Sequence, residues 1–203
     1  MTARAIRQPS GLEGIVLSRD DTRWVRLRDI ISERSLKIGN FILSSGRTSK
    51  YLFQLRQTTL LPEGAALLGE IVIEYMRRNG LRCAGGMELG AVPLVSAISV
   101  VSSYQNYPVN AFFVRKKAKE HGARELIDGH IVDGEEVLLV DDVATSGQSM
   151  FGAIAGVHKE YPNCVVKRAL VVVDREEGAA EALANRNVRL ISIFKKSDFQ
   201  IPS

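Results

Sequence analysis

The sequence predicts an α/β fold with an open, mostly parallel sheet flanked by helices and a small N-terminal hood. Two observations carry this. The segments RCAGGM, VNAFFVR, EVLLVDD, CVVKRALVVVD and VRLISIF are apolar along their length instead of alternating, as strands buried on both faces are. Helix-length segments at 91–104, 148–160 and 176–186 separate them, and strands joined by helices run parallel. Sheets of this kind bind ligands in the crevice at the carboxyl ends of their strands, so the loops that follow the strands hold the candidate chemistry.

The N-terminal elements read differently. Residues 1–20 lack periodicity and contain Pro9, Gly11 and Gly14, which suggests a loosely ordered leader, with 21–203 forming one domain. Trp24, Leu27, Ile30 and Ile31 recur at helical spacing and predict a helix ending before Gly39. NFILSSGRTSKYLFQL sets two short β-rich runs either side of a Ser/Gly/Arg turn, a hairpin or hood that closes the N-terminal part at about residue 61. Pro62-Glu63-Gly64 opens a helix through Leu67, Leu68, Ile71, Val72 and Tyr75, and Gly80 stops it.

Composition narrows the class of protein. At 203 residues one core is the economical expectation. The net charge of +4 suits a nucleic-acid partner or a pocket for a polyanionic small molecule equally well. Cys83 and Cys164 sit apart in apolar stretches with no metal-type spacing, so neither a disulfide framework nor a zinc site is expected. The longest apolar run, from Ala91 to Val101, is broken by Pro93 and falls short of the roughly 18 residues of a membrane span. No apolar stretch after Arg4 and Arg7 makes a signal peptide. A soluble cytoplasmic protein is the expectation.

The most informative segment is VLLVDDVATSGQS, residues 137–149. A buried strand ends in Asp141 and Asp142, and a Thr-Ser-Gly turn leads into a helix containing Met150, Ile154 and Val157. The amides at a helix N-terminus are unpaired and sit at the positive end of its dipole, so such a turn offers donors to a phosphate monoester. Ionised carboxylates only accept hydrogen bonds, which suits Asp141 and Asp142 to the two hydroxyls of a ribose. Phosphate on the turn and diol on the acids describe a ribose 5-phosphate. The plainer alternative is a strand end followed by a helix cap from Thr145 or Ser146. Neither GxxxxGK[ST] nor a strand-linked GxGxxG occurs, which argues against a P-loop or a dinucleotide fold.

A second signal is Arg115-Lys116-Lys117-Ala118-Lys119-Glu120-His121-Gly122, which opens a polar stretch reaching Gly129. Charge runs are usually solvated or bind nucleic acid. No aromatic residue interleaves with these charges to stack on bases, and the stretch has the character of a lid.

VLLVDDVATSG resembles the signature for phosphoribosyl pyrophosphate (PRPP) of the type I phosphoribosyltransferase family, and RKKAKEHG resembles the catalytic loop of its orotate-specific members. The resemblance implies the type I phosphoribosyltransferase fold and Mg²⁺-dependent transfer of ribose 5-phosphate from PRPP to orotate, a step of pyrimidine biosynthesis. By that resemblance Asp141 and Asp142 hold the ribose hydroxyls. Val143, Ala144, Thr145, Ser146, Gly147, Gln148 and Ser149 hold the 5-phosphate, with Thr145 also near the base. Mg²⁺ arrives bound mainly by PRPP oxygens, with no direct protein ligand. Arg115, Lys116, Lys119 and His121 contact the pyrophosphate, Lys119 being the leading catalytic candidate, and the loop reaches across the interface of a homodimer.

DREEG, residues 174–178, resembles the segment whose arginine meets the orotate carboxylate, which makes Arg175 the candidate for a two-pronged contact. The alternative for Arg175 is a surface salt bridge with Glu176 or Glu177. The hood resembles the family's FxLxSGxxSxYxxD stretch, with Phe53 a candidate for stacking on the base and core packing its alternative. Three positions depart from the pattern: Ser44 and Leu89 stand where some members carry lysine, and Gln54 replaces an acid. Gln54 keeps transfer to another base open as a second reading. A PRPP-sensing regulator with the same fold is a third, disfavoured because a sensor needs no leaving-group loop.

Overall fold

Six strands form the central sheet of the computed structural model, which describes residues 16–42, 46, 48–117 and 125–201. They are β3 (Cys83–Met87), β4 (Asn110–Val114), β5 (Ile127–Gly129), β6 (Glu136–Ala144), β7 (Val165–Asp174) and β8 (Arg189–Lys195), after the hood strands β1 (Leu36–Ile42) and β2 (Thr48–Phe53). Their order is β5-β4-β3-β6-β7-β8, parallel except for β5. From β3 the chain first adds strands on one side and then, at β6, on the other. The β3–β6 boundary is therefore the switch point, where crossover connections leave in opposite directions and open a crevice above the strand ends.

Burial explains why the strands lack alternation. Along β6, Leu138 and Val140 join one apolar cluster while Val137 and Leu139 join another, all at most 1% exposed. Successive side chains of a strand point to opposite faces, and here both faces are covered. The helices α1 (Thr22–Ile30), α3 (Pro62–Arg78) and α4 (Ala91–Tyr104) contribute to the first cluster. The second is capped by α5 (Gln148–Glu160) and α6 (Ala179–Ala184). Both cysteines are free and buried.

The hood is tied to the far edge of the sheet. Trp24 of α1 donates its indole N–H to the Ile193 carbonyl of β8 at 3.0 Å and packs 4.9 Å from Phe194. Phe199 bridges Phe194 and Phe53, with ring centroids 5.6 and 5.1 Å away. These contacts fix the hairpin β1–β2 over the carboxyl ends of β7 and β8.

Several expectations are corrected. The first helix gives way to a wider π turn at Ile31–Ser35, and Gly39 lies inside β1. Leu36 and Lys37 already pair with Phe53 and Leu52, and the register shifts between Ile38 and Phe41, so hairpin pairing overrides the apolar stripe. The polar stretch after Arg115 includes β5, held antiparallel to β4. The short helix α2 (Arg56–Thr59) follows the hood, and the helix expected at 176–186 is confined to α6. Val16 and Leu17 are buried, and Val16 accepts a 2.5 Å hydrogen bond from Arg78, so the end of the expected leader is part of the fold. Residues 1–15 lie outside the described residues. No described helix is long and apolar enough to cross a membrane.

Candidate active site

Asp141 and Asp142 lie near the carboxyl end of β6, which runs on to Ala144 and does not stop at the acids as the sequence suggested; Asp141 is buried at 5% exposed and Asp142 is half-buried. The Asp142 amide donates to Asp141 Oδ1 at 2.9 Å, and the Val143 amide donates to Asp142 Oδ1 at 2.8 Å. The Asp141 carboxyl is also within hydrogen-bonding reach of the Ser149 and Asp142 side chains. Burial, with the neighbouring Asp142 charge adding to it, pushes the Asp141 carboxyl up to about 8 from an ordinary 3.8. Burial raises Asp142 too, opposed by its amide hydrogen bond and by the nearby Arg56 cation. Two adjacent carboxyls out of water resist joint ionisation, because desolvation penalises each charge and the charges repel.

The turn after the acids leads directly into α5. Gly147 occupies the N-cap position in the left-handed conformation at φ 83°, and the helix has no side-chain cap. The alternative in which Thr145 or Ser146 caps the helix is therefore not what forms. Glycine takes this backbone geometry without strain. The first turn of α5 has no side-chain cap and follows two carboxylates closely in the chain, a combination of donors and acceptors that suits a ribose 5-phosphate.

Two further loops close on the acid pair. Glu88, Leu89 and Gly90 join β3 to α4, and the peptide between Glu88 and Leu89 is cis. A side chain added at Gly90 would lie 2.3 Å from Asp141 Oδ1 and 2.8 Å from Asp142 Oδ1, so only glycine lets this loop rest against the carboxylates. Glu88 accepts a hydrogen bond from the Lys116 amide at 2.8 Å and donates its own amide to the Val114 carbonyl. The root of the basic loop is thereby fastened to the Glu88–Gly90 loop. Arg115 pairs with Asp128 of β5 at 2.9 Å, while its buried Nε has no partner among the described residues. Lys119 and His121 lie outside the described residues.

On the other side, Arg175 follows β7, and its amide donates to the Ala144 carbonyl. Its guanidinium is 4.7 Å from the centre of the Tyr51 ring and pairs with Glu177 at 2.8 Å. The salt bridge anticipated as the alternative does form with Glu177, but joins a buried Arg175 to a half-buried Glu177 and is not on the open surface. Phe53 lies in the core between the edges of Tyr51 and Phe199. In this conformation its ring faces other aromatics and is not presented for stacking. The Gln54 side chain is exposed, and its amide donates to the Ser35 carbonyl.

Residues 85–198 match the phosphoribosyl transferase domain family. An orotate phosphoribosyltransferase of Rhodopseudomonas palustris is 45% identical over 178 residues, 86% of this chain and 94% of that protein. The chain belongs to the orotate phosphoribosyltransferase family. Its structure resembles the Mycobacterium tuberculosis H37Rv orotate phosphoribosyltransferase in complex with Fe(III) dicitrate, with a TM-score of 0.75 at 34% identity, covering 88% of this chain and 99% of that one. The same enzyme in complex with PRPP gives a TM-score of 0.71 at 32% identity, over 87% and 98% of the two chains. The type I phosphoribosyltransferase fold expected from the signature is thus the fold found.

Within this member of the orotate phosphoribosyltransferase family, one side chain near the site escaped sequence reasoning: Arg56 fills no motif position, and its charge acts on Asp142 from the short helix α2. Tyr51 stands at the tyrosine of the hood pattern and Glu88 beside Leu89, but neither pattern foretold their hydrogen bonds. Those bonds join segments far apart in sequence.

The raised Asp141 carboxyl fixes a pH dependence. Between about 3.8 and about 8 the folded protein keeps a proton that the unfolded chain has released, so this group's contribution to stability is fully present below 3.8 and lost as pH rises through 8. Asp141→Asn removes that loss. At pH 9 the unliganded variant is expected to melt about 2–4 °C above the parent for each kcal/mol recovered, while binding PRPP more weakly. Calorimetric melting across pH 5–9 checks this, and equal pH slopes for variant and parent would count against a protonated Asp141.

Proposed function

We propose that this chain transfers ribose 5-phosphate from PRPP to orotate in the crevice above the β3–β6 boundary, giving orotidine 5′-phosphate and pyrophosphate. The observation that carries the reading is the pairing of an α5 N-terminus without a side-chain cap with two adjacent carboxylates, one buried and one half-buried. In this reading Asp141 and Asp142 accept hydrogen bonds from the ribose hydroxyls. The backbone and hydroxyls of residues 143–149 take the 5-phosphate, and the Glu88–Gly90 loop borders the pyrophosphate. Arg175 binds the orotate carboxylate.

Breaking the bond from ribose C1 to pyrophosphate places positive charge on the sugar and negative charge on the leaving group. The acid pair lies beneath the sugar, where negative charge favours an oxocarbenium-like transition state. Arg115, Lys116, Lys119 and His121 serve the departing oxygens, where fixed cations act more strongly in a site shielded from water. In this reading Mg²⁺ arrives on the oxygens of PRPP, while Asp141 and Asp142 face the sugar hydroxyls. When bound, the metal supplies neutralisation of the diphosphate charge.

The homodimer belongs to the same proposal. The groove between α3 and α4, about 650 Å³, is lined by Leu60, Pro62, Val92, Val100, Val101 and Tyr104. Leu60 is 68% exposed, Val100 57% and Tyr104 84%, a concentration of apolar surface of the kind that marks an interaction site. Since α4 begins immediately after Gly90, a second copy seated here would lie beside the pyrophosphate end of the crevice, within reach of a loop exchanged between partners.

Two experiments test these statements. Incubation with Mg²⁺, PRPP and a panel of bases should release pyrophosphate with orotate alone, and Lys119→Ala should lower turnover on the order of 10² to 10³ while PRPP binding is partly kept. Near-normal turnover in that variant would remove Lys119 from the mechanism. For the dimer, Val100→Glu combined with Tyr104→Glu should shift the sedimentation profile from dimer to monomer. A dimer that survives both charges would place the interface elsewhere.

A further inference from the structure

Arg175 is held on one edge of its guanidinium only. Nε donates to Tyr51 Oη at 3.1 Å, Nη2 pairs with Glu177 Oε1 at 2.8 Å, and Tyr51 Oη donates to the same Glu177 oxygen at 3.2 Å. These contacts form a closed ring on the Nε–Nη2 side. A guanidinium has five N–H donors in a rigid plane, and two are used here. The other edge, Nη1 with the second Nη2 hydrogen, has no acceptor among the described residues, and it is a geometry that a planar carboxylate meets through two parallel hydrogen bonds.

Charge supports the same arrangement. Arg175 is 7% exposed, and a buried cation needs a partner before any ligand arrives. Glu177 provides it. Bringing a second carboxylate into this region calls for a second cation, and Lys196 lies 5.3 Å from the centre of the Tyr51 ring. The Ser197 amide donates to Glu176, which fastens the Lys196 segment to the loop bearing Arg175. Two cations would then face two carboxylates once the base is bound.

We propose that Tyr51 and Glu177 are positioning residues: they lock one edge of Arg175 so that the other is presented to the carboxylate of the base. Tyr51 belongs to the hood and Arg175 to the sheet, so recognition of the base depends on the hairpin being seated. The proposal rests on the reading of Arg175 as the base-binding residue, and it adds that two residues without contact to the base set its selectivity.

Steady-state kinetics of Tyr51→Phe, Glu177→Gln and Arg175→Ala separates the two levels. Tyr51→Phe keeps the ring and removes the hydroxyl, and Glu177→Gln keeps the shape and removes the charge. Each should raise the KM for orotate about tenfold, with kcat and the KM for PRPP within about twofold, the pattern of a lost binding contact. Their preference for orotate over its carboxamide analogue should shrink in parallel. If Arg175→Ala raises the orotate KM but Tyr51→Phe and Glu177→Gln do not, the positioning proposal is wrong and the base-binding role stands. If Arg175→Ala leaves the orotate KM unchanged, the underlying reading fails. A fall in kcat with both KM values unaltered would show a general structural role and overturn the proposal.

Discussion

The desolvation of two adjacent carboxylates governs the architecture around the crevice. Asp141 and Asp142 stand at the end of a strand whose preceding residues are almost wholly buried, and nothing apolar can stabilise charge there. The fold answers with backbone donors: the amides of Asp142 and Val143 each hold one carboxylate oxygen. The switch point opens a crevice above the strand ends, and Gly90 allows the neighbouring loop to approach the acids closely. Two adjacent carboxyls held out of water are costly to maintain, since burial and mutual repulsion both oppose their ionisation, and active sites tolerate such a cost where folding alone would not.

Around this centre the remaining groups are distributed by strand. β3 delivers the Glu88–Gly90 loop, β4 the basic loop, β6 the acids and the turn into α5, and β7 the loop with Arg175. Because parallel strands end on the same side of a sheet, four short segments separated by up to 90 residues meet within one crevice. The tie between Glu88 and the Lys116 amide couples two of these loops. The contacts of Tyr51 with Arg175 and Glu177 couple the hood to a third. The hood is therefore more than a cover, since its Tyr51 holds the buried Arg175 guanidinium in place.

Much of the fold was legible because its signals are local. Continuous apolar runs gave β3, β4, β6, β7 and β8, and Pro62 and Gly80 bracketed α3 almost to the residue. The site signature was also legible where it is contiguous, as in the run from Val137 to Ser149. Legibility ended where pairing decided the outcome. Gly39 looked like a helix stop but lies within β1, because the hairpin partner claims Leu36 and Lys37. Three residues of a polar stretch became β5 because β4 offered a free edge. Phe53, suited by type to stack on a base, is packed by Phe199, more than a hundred residues away.

What the sequence by itself determined is the class of fold and the residue types at the end of β6: strand periodicity, helix boundaries, and an acid pair followed by a turn of small donors are written in neighbouring residues, where local sterics and hydrogen bonding suffice. What only the tertiary structure decided is which groups are engaged and which are open. Arg175 could have been a free cation or a surface salt bridge, and it became a half-clamped fork. Arg56 gained an influence on Asp142, and the α5 N-terminus was left without a side-chain cap. Each of these outcomes depends on distances between segments remote in the chain, and those distances exist only after both faces of the sheet have been packed.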